Sequence, residues 1–241
     1  MKNKHLFTKP TKSTITYISV IILLSLSLIC ISYKSGYISK VLIKLDVIQE
    51  DPHSNDAYRS WAKCLNDLNY TANIAFVGDS ITANGNWGEY FPDKKVCNLG
   101  CYGDSILNVR ERINVVKSVN PEKIFIMCGI NSLASRSVKQ CVEQYKLMLE
   151  EYSSEFTNSE IYVLSVLPTA SSKHPYADNS DIVSFNAQIK TIAEEMSIQY
   201  IDIYSAYEKD GCLPSEYSQD GLHITSDYYC IWVEHITEYV Y

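Results

Sequence analysis

Five short apolar runs, each followed by a longer segment with helical spacing, constrain this chain more than any other feature. The runs are "NIAFVG" (73–78), "KVCNLG" (95–100), "KIFIMCG" (123–129), "IYVLSVLP" (161–168) and "QYIDIY" (199–204). Most lack the polar alternation of a half-exposed strand, so they read as strands covered on both faces. The intervening stripes repeat every three or four residues: Ile106, Val109, Ile113, Val116 and Val119, then Val138, Val142, Tyr145 and Leu149. Ile182, Phe185, Ile189 and Ala193 form a third stripe, and Tyr228, Trp232, His235 and Tyr239 a fourth. Apolar strands alternating with amphipathic helices predict a parallel sheet with helices on both sides. Right-handed crossovers make it a doubly wound α/β sandwich of about five strands.

In such a sheet ligands bind beyond the carboxyl ends of the strands, so chemistry is sought there. The tetrapeptide Gly-Asp-Ser-Ile stands there twice, at Gly78–Ile81 after the first run and at Gly103–Ile106 after the second. The third run is followed by Gly129-Ile130-Asn131-Ser132, and Asp220-Gly221-Leu222-His223 lies past the last. A serine, glycine amides, a side-chain amide, an imidazole and a carboxylate are the parts that acyl transfer requires. A serine hydroxyl needs a base, which His223 supplies, and Asp220 orients the ring. The amides of Ser80 and Gly103 and the side-chain amide of Asn131 are the candidate oxyanion donors. Taken singly, each part has a plainer reading: Gly-Asp-Ser as a turn, Asp-x-x-His as a helix cap, Asn131 as a turn residue. Their order and topological places give the set its specificity. His174, in the loop 169–180, is the competing base, although no carboxylate precedes it at a comparable spacing. That loop either shapes substrate choice or is a solvated excursion.

These four blocks resemble those of the SGNH hydrolases, also called GDSL esterases/lipases. The likeness spans residues 70–241 and implies a three-layer flavodoxin-like sandwich, no metal, no cofactor, and ester hydrolysis through an acyl-serine intermediate. Ser132 stands where that family usually carries Asp, which bears on the local loop. The two tetrapeptides then separate. The first opens into irregular sequence and supplies the nucleophile, Ser80. The second leads directly into a helical stripe, where Asp104 or Ser105 is a natural N-cap and Gly103 offers its amide.

The N-terminal part differs. "ITYISVIILLSLSLICISY" (15–33) is 19 residues without a charge, bounded by Lys12 and Lys34. That length suits a helix crossing a hydrocarbon core of about 30 Å. The rival is a cleaved signal peptide, for which no A-x-A-like site is visible. The expected organisation is a basic tail (1–14), a transmembrane anchor (15–33), a juxtamembrane stalk (34–54) and a hydrolase domain (55–241), with the domain outside. The first 50 residues hold seven of the 21 basic side chains and two of the 28 acidic. That leaves 14 against 26, a net −12, for residues 51–241. A charge of that sign argues against nucleic acid as a partner. No ligand-spaced cysteine cluster suggests a metal site.

The expectation is a serine esterase removing a small acyl group, O-acetyl, from a carbohydrate or cell-surface glycan. The alternatives are a lysophospholipase or thioesterase, an O-acyltransferase of the same fold, and a catalytically silent anchored binding module.

Overall fold

The structure, a computed structural model, describes residues 12–34, 70–171 and 177–241, with positions 38, 60, 63 and 67. The chain divides into two compact units, residues 1–48 and 49–241. In the first, helix α1 runs Lys12–Lys34. Its described side chains, Tyr17 and residues 19–32, are exposed as far as Ile31. Among the described residues no helix is long and apolar enough to cross a membrane. The predicted anchor over 15–33 reaches beyond those side chains, and the predicted stalk lies almost wholly outside the described residues.

The second unit is built on five strands: β1 Ile74–Gly78, β2 Val96–Gly100, β3 Lys123–Met127, β4 Glu160–Leu164 and β5 Gln199–Ile201. All neighbours pair in parallel, in the order β2-β1-β3-β4-β5. This is the flavodoxin-like order, with its switch point between β1 and β3. Helices α2 (Ser80–Ala83) and α3 (Trp87–Tyr90) join β1 to β2. Next come α4 (Ile106–Glu111) and α5 (Ile113–Ser118), then α6 (Ile130–Leu133) and α7 (Val138–Glu155). The chain continues through α8 (Asn179–Glu195) and α9 (Tyr204–Tyr207) to α10 (Tyr229–Val240).

Parallel register fixes what each sheet face presents. Phe76 pairs with Phe125, and Phe125 with Tyr162, so three rings form a ladder on one face. Phe76 stacks on Trp87 of α3 at 4.2 Å, and Trp87 meets Trp232 of α10 edge-on at 4.9 Å. The opposite face carries α4, α7 and α8, joined by Tyr145 against Phe185 at 5.5 Å and by the Tyr152 hydroxyl bonded to Val109 O at 3.1 Å. Burying each such side chain contributes roughly 1.5–3 kcal/mol.

Several elements depart from the periodicity. The stripe over 106–119 is two helices, because Arg112 sits between α4 and α5 with its side chain buried. In α10 the buried residues are Tyr229, Trp232, Ile236 and Val240, while His235 is exposed. The predicted stripe thus shares only Trp232 with the real one, whose buried face is completed by Tyr229, Ile236 and Val240, each one position further along the chain. The fourth strand ends at Leu164, not Pro168. The Asn186 amide bonds both Val166 N (2.9 Å) and Val166 O (2.8 Å), replacing a neighbouring strand. The fifth ends at Ile201, because the Ser165 hydroxyl accepts from Ile203 N (2.9 Å) and Tyr204 N (2.7 Å) and turns the chain into α9.

Candidate active site

Both Gly-Asp-Ser-Ile copies lie at the carboxyl ends of β1 and β2, and local packing separates their tasks. A Cβ on Gly78 would stand 2.2 Å from Met127 O and Thr82 Oγ1, and one on Gly100 would stand 2.2 Å from Ala83 N. Only glycine lets α2 fold back this tightly across the strand ends. Asp79 caps that turn, its Oδ1 accepting from Ile81 N at 3.0 Å. Ser80 is thereby held at the first position of α2, 7% exposed. Burial pushes the Asp79 carboxyl up to about 7, against the Ile81 bond and the charges of His223 and Arg112, with Asp104 adding to the rise.

The second copy is a support. Ser105 caps α4 in a reciprocal capping box with Asn108. The Ser132 hydroxyl, fully buried, accepts from Ile106 N at 3.0 Å. The residue that departs from the family pattern therefore still ties the third-strand loop to this helix start. Asn131 Nδ2 donates to Asp104 O at 2.9 Å. Arg112 reaches up from below. Its Nε bonds Asp104 Oδ2 at 2.6 Å, a second nitrogen donates to Gly78 O at 2.7 Å, and the third to Leu99 O. One buried guanidinium thus joins the ends of β1 and β2 to the loop carrying Gly103. Bidentate-capable Arg suits this role better than Lys, which offers no planar fork.

The predicted acid–base pair comes from a separate turn. Asp220 Oδ1 accepts from Leu222 N (2.9 Å) and His223 N (2.8 Å), which makes a tight turn through Gly221 at φ +80°. The turn is pinned by the Ser218–Ile224 bridge and by Ala170 N donating to Gly221 O at 2.8 Å. It leaves Asp220 Oδ2 free to meet His223 Nδ1 at 2.6 Å, while His223 Nε2 lies 2.8 Å from Ser80 Oγ. Burial raises the Asp220 carboxyl, but the hydrogen bonds from the His223 ring and from the His223 and Leu222 amides outweigh it and hold it well below the usual carboxylate range. An ionised carboxylate only accepts, so Nδ1 carries the ring proton and Nε2 is the acceptor facing Ser80.

The structure therefore brings Ser80, His223 and Asp220 into one hydrogen-bonded chain and sets Asn131 against the loop of Gly103. Gly103 has φ +79°, and space for a side chain there is open. His174, the competing base, lies outside the described residues. Sequence reasoning missed Arg112, whose signal was a cation inside an otherwise apolar stripe. It also missed the Tyr102–Asn84 hydrogen bond that links the two tetrapeptide loops. Among the described residues no cluster of His, Cys, Asp or Glu could hold a metal ion.

A serine, imidazole and carboxylate in hydrogen-bonded order at the switch point of a flavodoxin-like sheet define a serine hydrolase of α/β architecture. Residues 76–229 match the GDSL-like lipase/acylhydrolase family, and the chain belongs to it, as an ester hydrolase. Solved structures of similar fold include a putative platelet activating factor from Streptococcus pneumonia, 22% identical, covering 76% of this chain and 92% of that one, with TM-score 0.67. A putative acylhydrolase from Bacteroides fragilis is 20% identical, covers 80% and 98%, and has TM-score 0.66. An acetylxylan esterase from Geobacillus stearothermophilus is 17% identical, covers 71% and 94%, and has TM-score 0.57. At these identities the likeness establishes the fold. The curated proteins offer no match.

Proposed function

We propose that this chain is a membrane-anchored serine esterase that removes a small acyl group, O-acetyl, from a carbohydrate. The observation that carries the proposal is the Ser80–His223–Asp220 chain of hydrogen bonds, at 2.8 Å and 2.6 Å. His223 Nε2 takes the Ser80 hydroxyl proton as Oγ attacks the ester carbonyl, and Asp220 stabilises the imidazolium. The oxyanion is received by the amides of Ser80 and Gly103 and by Asn131 Nδ2. Each such donor is worth ~10²–10³ in rate. As the tetrahedral intermediate collapses, His223 returns the proton to the departing alcohol oxygen. Water, activated by the same ring, then hydrolyses the acyl-serine.

The acetylxylan esterase among the structural relatives supports the small-acyl, carbohydrate part of the reading. Support for the anchor comes from the uncharged run over 15–33 and from exposed apolar side chains along α1, such as Leu23 (64%), Leu28 (64%) and Ile31 (64%). Lysines on both flanks, four before and three after, favour an outward-facing domain.

The test is a hydrolysis series on acetyl, butyryl, octanoyl and palmitoyl esters, with acetate release from acetylated sugars measured beside fatty-acid release from lysophospholipids. Activity is expected on the short esters and acetylated sugars and lost in Ser80→Ala. Rates that climb toward palmitoyl, or preference for lysophospholipid, would overturn the small-acyl reading. Product transferred to an added sugar alcohol in place of water would make the chain an acyltransferase. Turnover surviving in Ser80→Ala would remove Ser80 as nucleophile.

A further inference from the structure

In a serine hydrolase the departing alcohol oxygen receives its proton from the imidazole, so the alcohol half of the ester lies on the histidine side of the nucleophile. On that side His223 and Asp220 border an open cavity of about 480 Å³, whose other walls come from Asn84, Gln219, Ile224, Thr225, Ser226 and Tyr229. That volume is within the range of small-molecule sites. Its walls are mixed: hydroxyls and amides from Asn84, Gln219, Thr225 and Ser226 stand beside the apolar surface of Ile224 and Tyr229. Among the described lining residues there is no Lys or Arg, and Asp220 adds a negative charge. A phosphate would meet no cation there and one like charge. A long alkyl chain would lie against the polar groups of Asn84, Gln219, Thr225 and Ser226 as well as the apolar ones. A sugar, with hydroxyls and C–H faces, would find hydrogen-bond partners in Asn84, Gln219, Thr225 and Ser226 and apolar contact on Ile224 and Tyr229.

The rim carries a second observation. Tyr102, adjacent to Gly103, is 62% exposed, an unusual state for a large aromatic ring in this domain. Its hydroxyl donates to Asn84 Oδ1, and Asn84 itself lines the cavity. The hydrogen bond fixes the ring while leaving most of its surface open, and it leaves the Asn84 amide nitrogen available to donate.

The geometry points to Tyr102 and Asn84 as the alcohol-side subsite: the tyrosine ring covers the C–H face of a sugar ring, and the Asn84 amide bonds one of its hydroxyls. Substrate choice then rests on two residues that take no part in bond making. This inference rests on the esterase reading above and names which half of the substrate is recognised.

The experiment compares kcat/KM for a mono-O-acetylated methyl xyloside with that for ethyl acetate, whose alcohol is too small to reach the rim. Wild type, Tyr102→Ala, Tyr102→Phe and Asn84→Ala are measured as the full chain. The sugar-ester to ethyl-acetate ratio is expected to fall about three- to tenfold in Tyr102→Ala, the range for loss of one aromatic contact, and mainly through KM for the sugar ester. Tyr102→Phe keeps the ring and retains most of the ratio. Asn84→Ala lowers it. A variant that is merely misfolded lowers both rates together and leaves the ratio unchanged. A ratio unchanged in Tyr102→Ala, with wild type active on the sugar ester, would overturn the subsite and spare the esterase reading. Wild type that cleaves ethyl acetate and ignores every sugar acetate would overturn both the subsite and the carbohydrate reading, while leaving the ester chemistry intact.

Discussion

Replacing Asp79 with asparagine tests the electrostatics of the turn that carries Ser80. The carboxyl is 1% exposed, and its rise from 3.8 to about 7 has burial as its main cause. Asparagine keeps an oxygen for the Ile81 amide and removes the titration. The sign follows from proton binding. Below about 3.8 the carboxyl is neutral in both the folded and unfolded chains, and it costs the fold nothing. Between there and about 7 the unfolded chain ionises while the native state retains its proton, so this group makes stability fall with rising pH. Above about 7 the loss is complete. At 1.36 kcal/mol per pH unit the full effect is about 4 kcal/mol, a large share of the 5–15 kcal/mol typical of a domain. Urea unfolding of both proteins from pH 4 to pH 8 reads it as the difference in extrapolated stability. Asp79→Asn should gain on wild type steadily across that window and then level off. A difference that stays flat within about 1 kcal/mol would refute the argument, because Arg112 and His223 would then outweigh burial.

Other perturbations separate chemistry from support. Asp220→Asn leaves the turn nearly intact but removes the acceptor that fixes the His223 tautomer, so kcat should drop by ~10⁴ with little change in KM; steady-state kinetics on a short ester check this. Arg112→Met removes the guanidinium bonds to the buried Asp104 carboxylate and to the Gly78 and Leu99 carbonyls and should cost about 3–5 kcal/mol in urea unfolding. Adding Asp104→Asn should return part of that loss, and a double variant no better than the single one would contradict the pairing. Ser105→Ala removes the α4 cap and should cost about 1 kcal/mol while hydrolysis survives, the reverse of Ser80→Ala.

The strand candidates and the places of the blocks at their ends were legible because burial on both faces and helical stripes leave a local imprint in composition. Ile182, Phe185, Ile189 and Ala193 show this best: the stripe is apolar, and all four residues are buried. The final helix shows the limit, since its aromatic residues satisfied two registers and packing against Trp87 selected the one through Tyr229 and Trp232. Strand ends were overestimated at β4 and β5 for a related reason. Side-chain amides and hydroxyls from distant segments took over the backbone bonds there, and such exchanges leave no periodic trace.

By itself the sequence determined the layer architecture, the strand-end placement of both Gly-Asp-Ser-Ile copies, and the local Asp220–His223 turn, all carried by short-range pattern. Tertiary structure alone decided that Ser80 meets His223 across 143 positions of chain. It also decided that Arg112, buried at the junction of α4 and α5, holds Asp104, Gly78 and Leu99. Contacts of that kind depend on which strand ends the sheet order makes neighbours, and sheet order is a property of the whole packed chain.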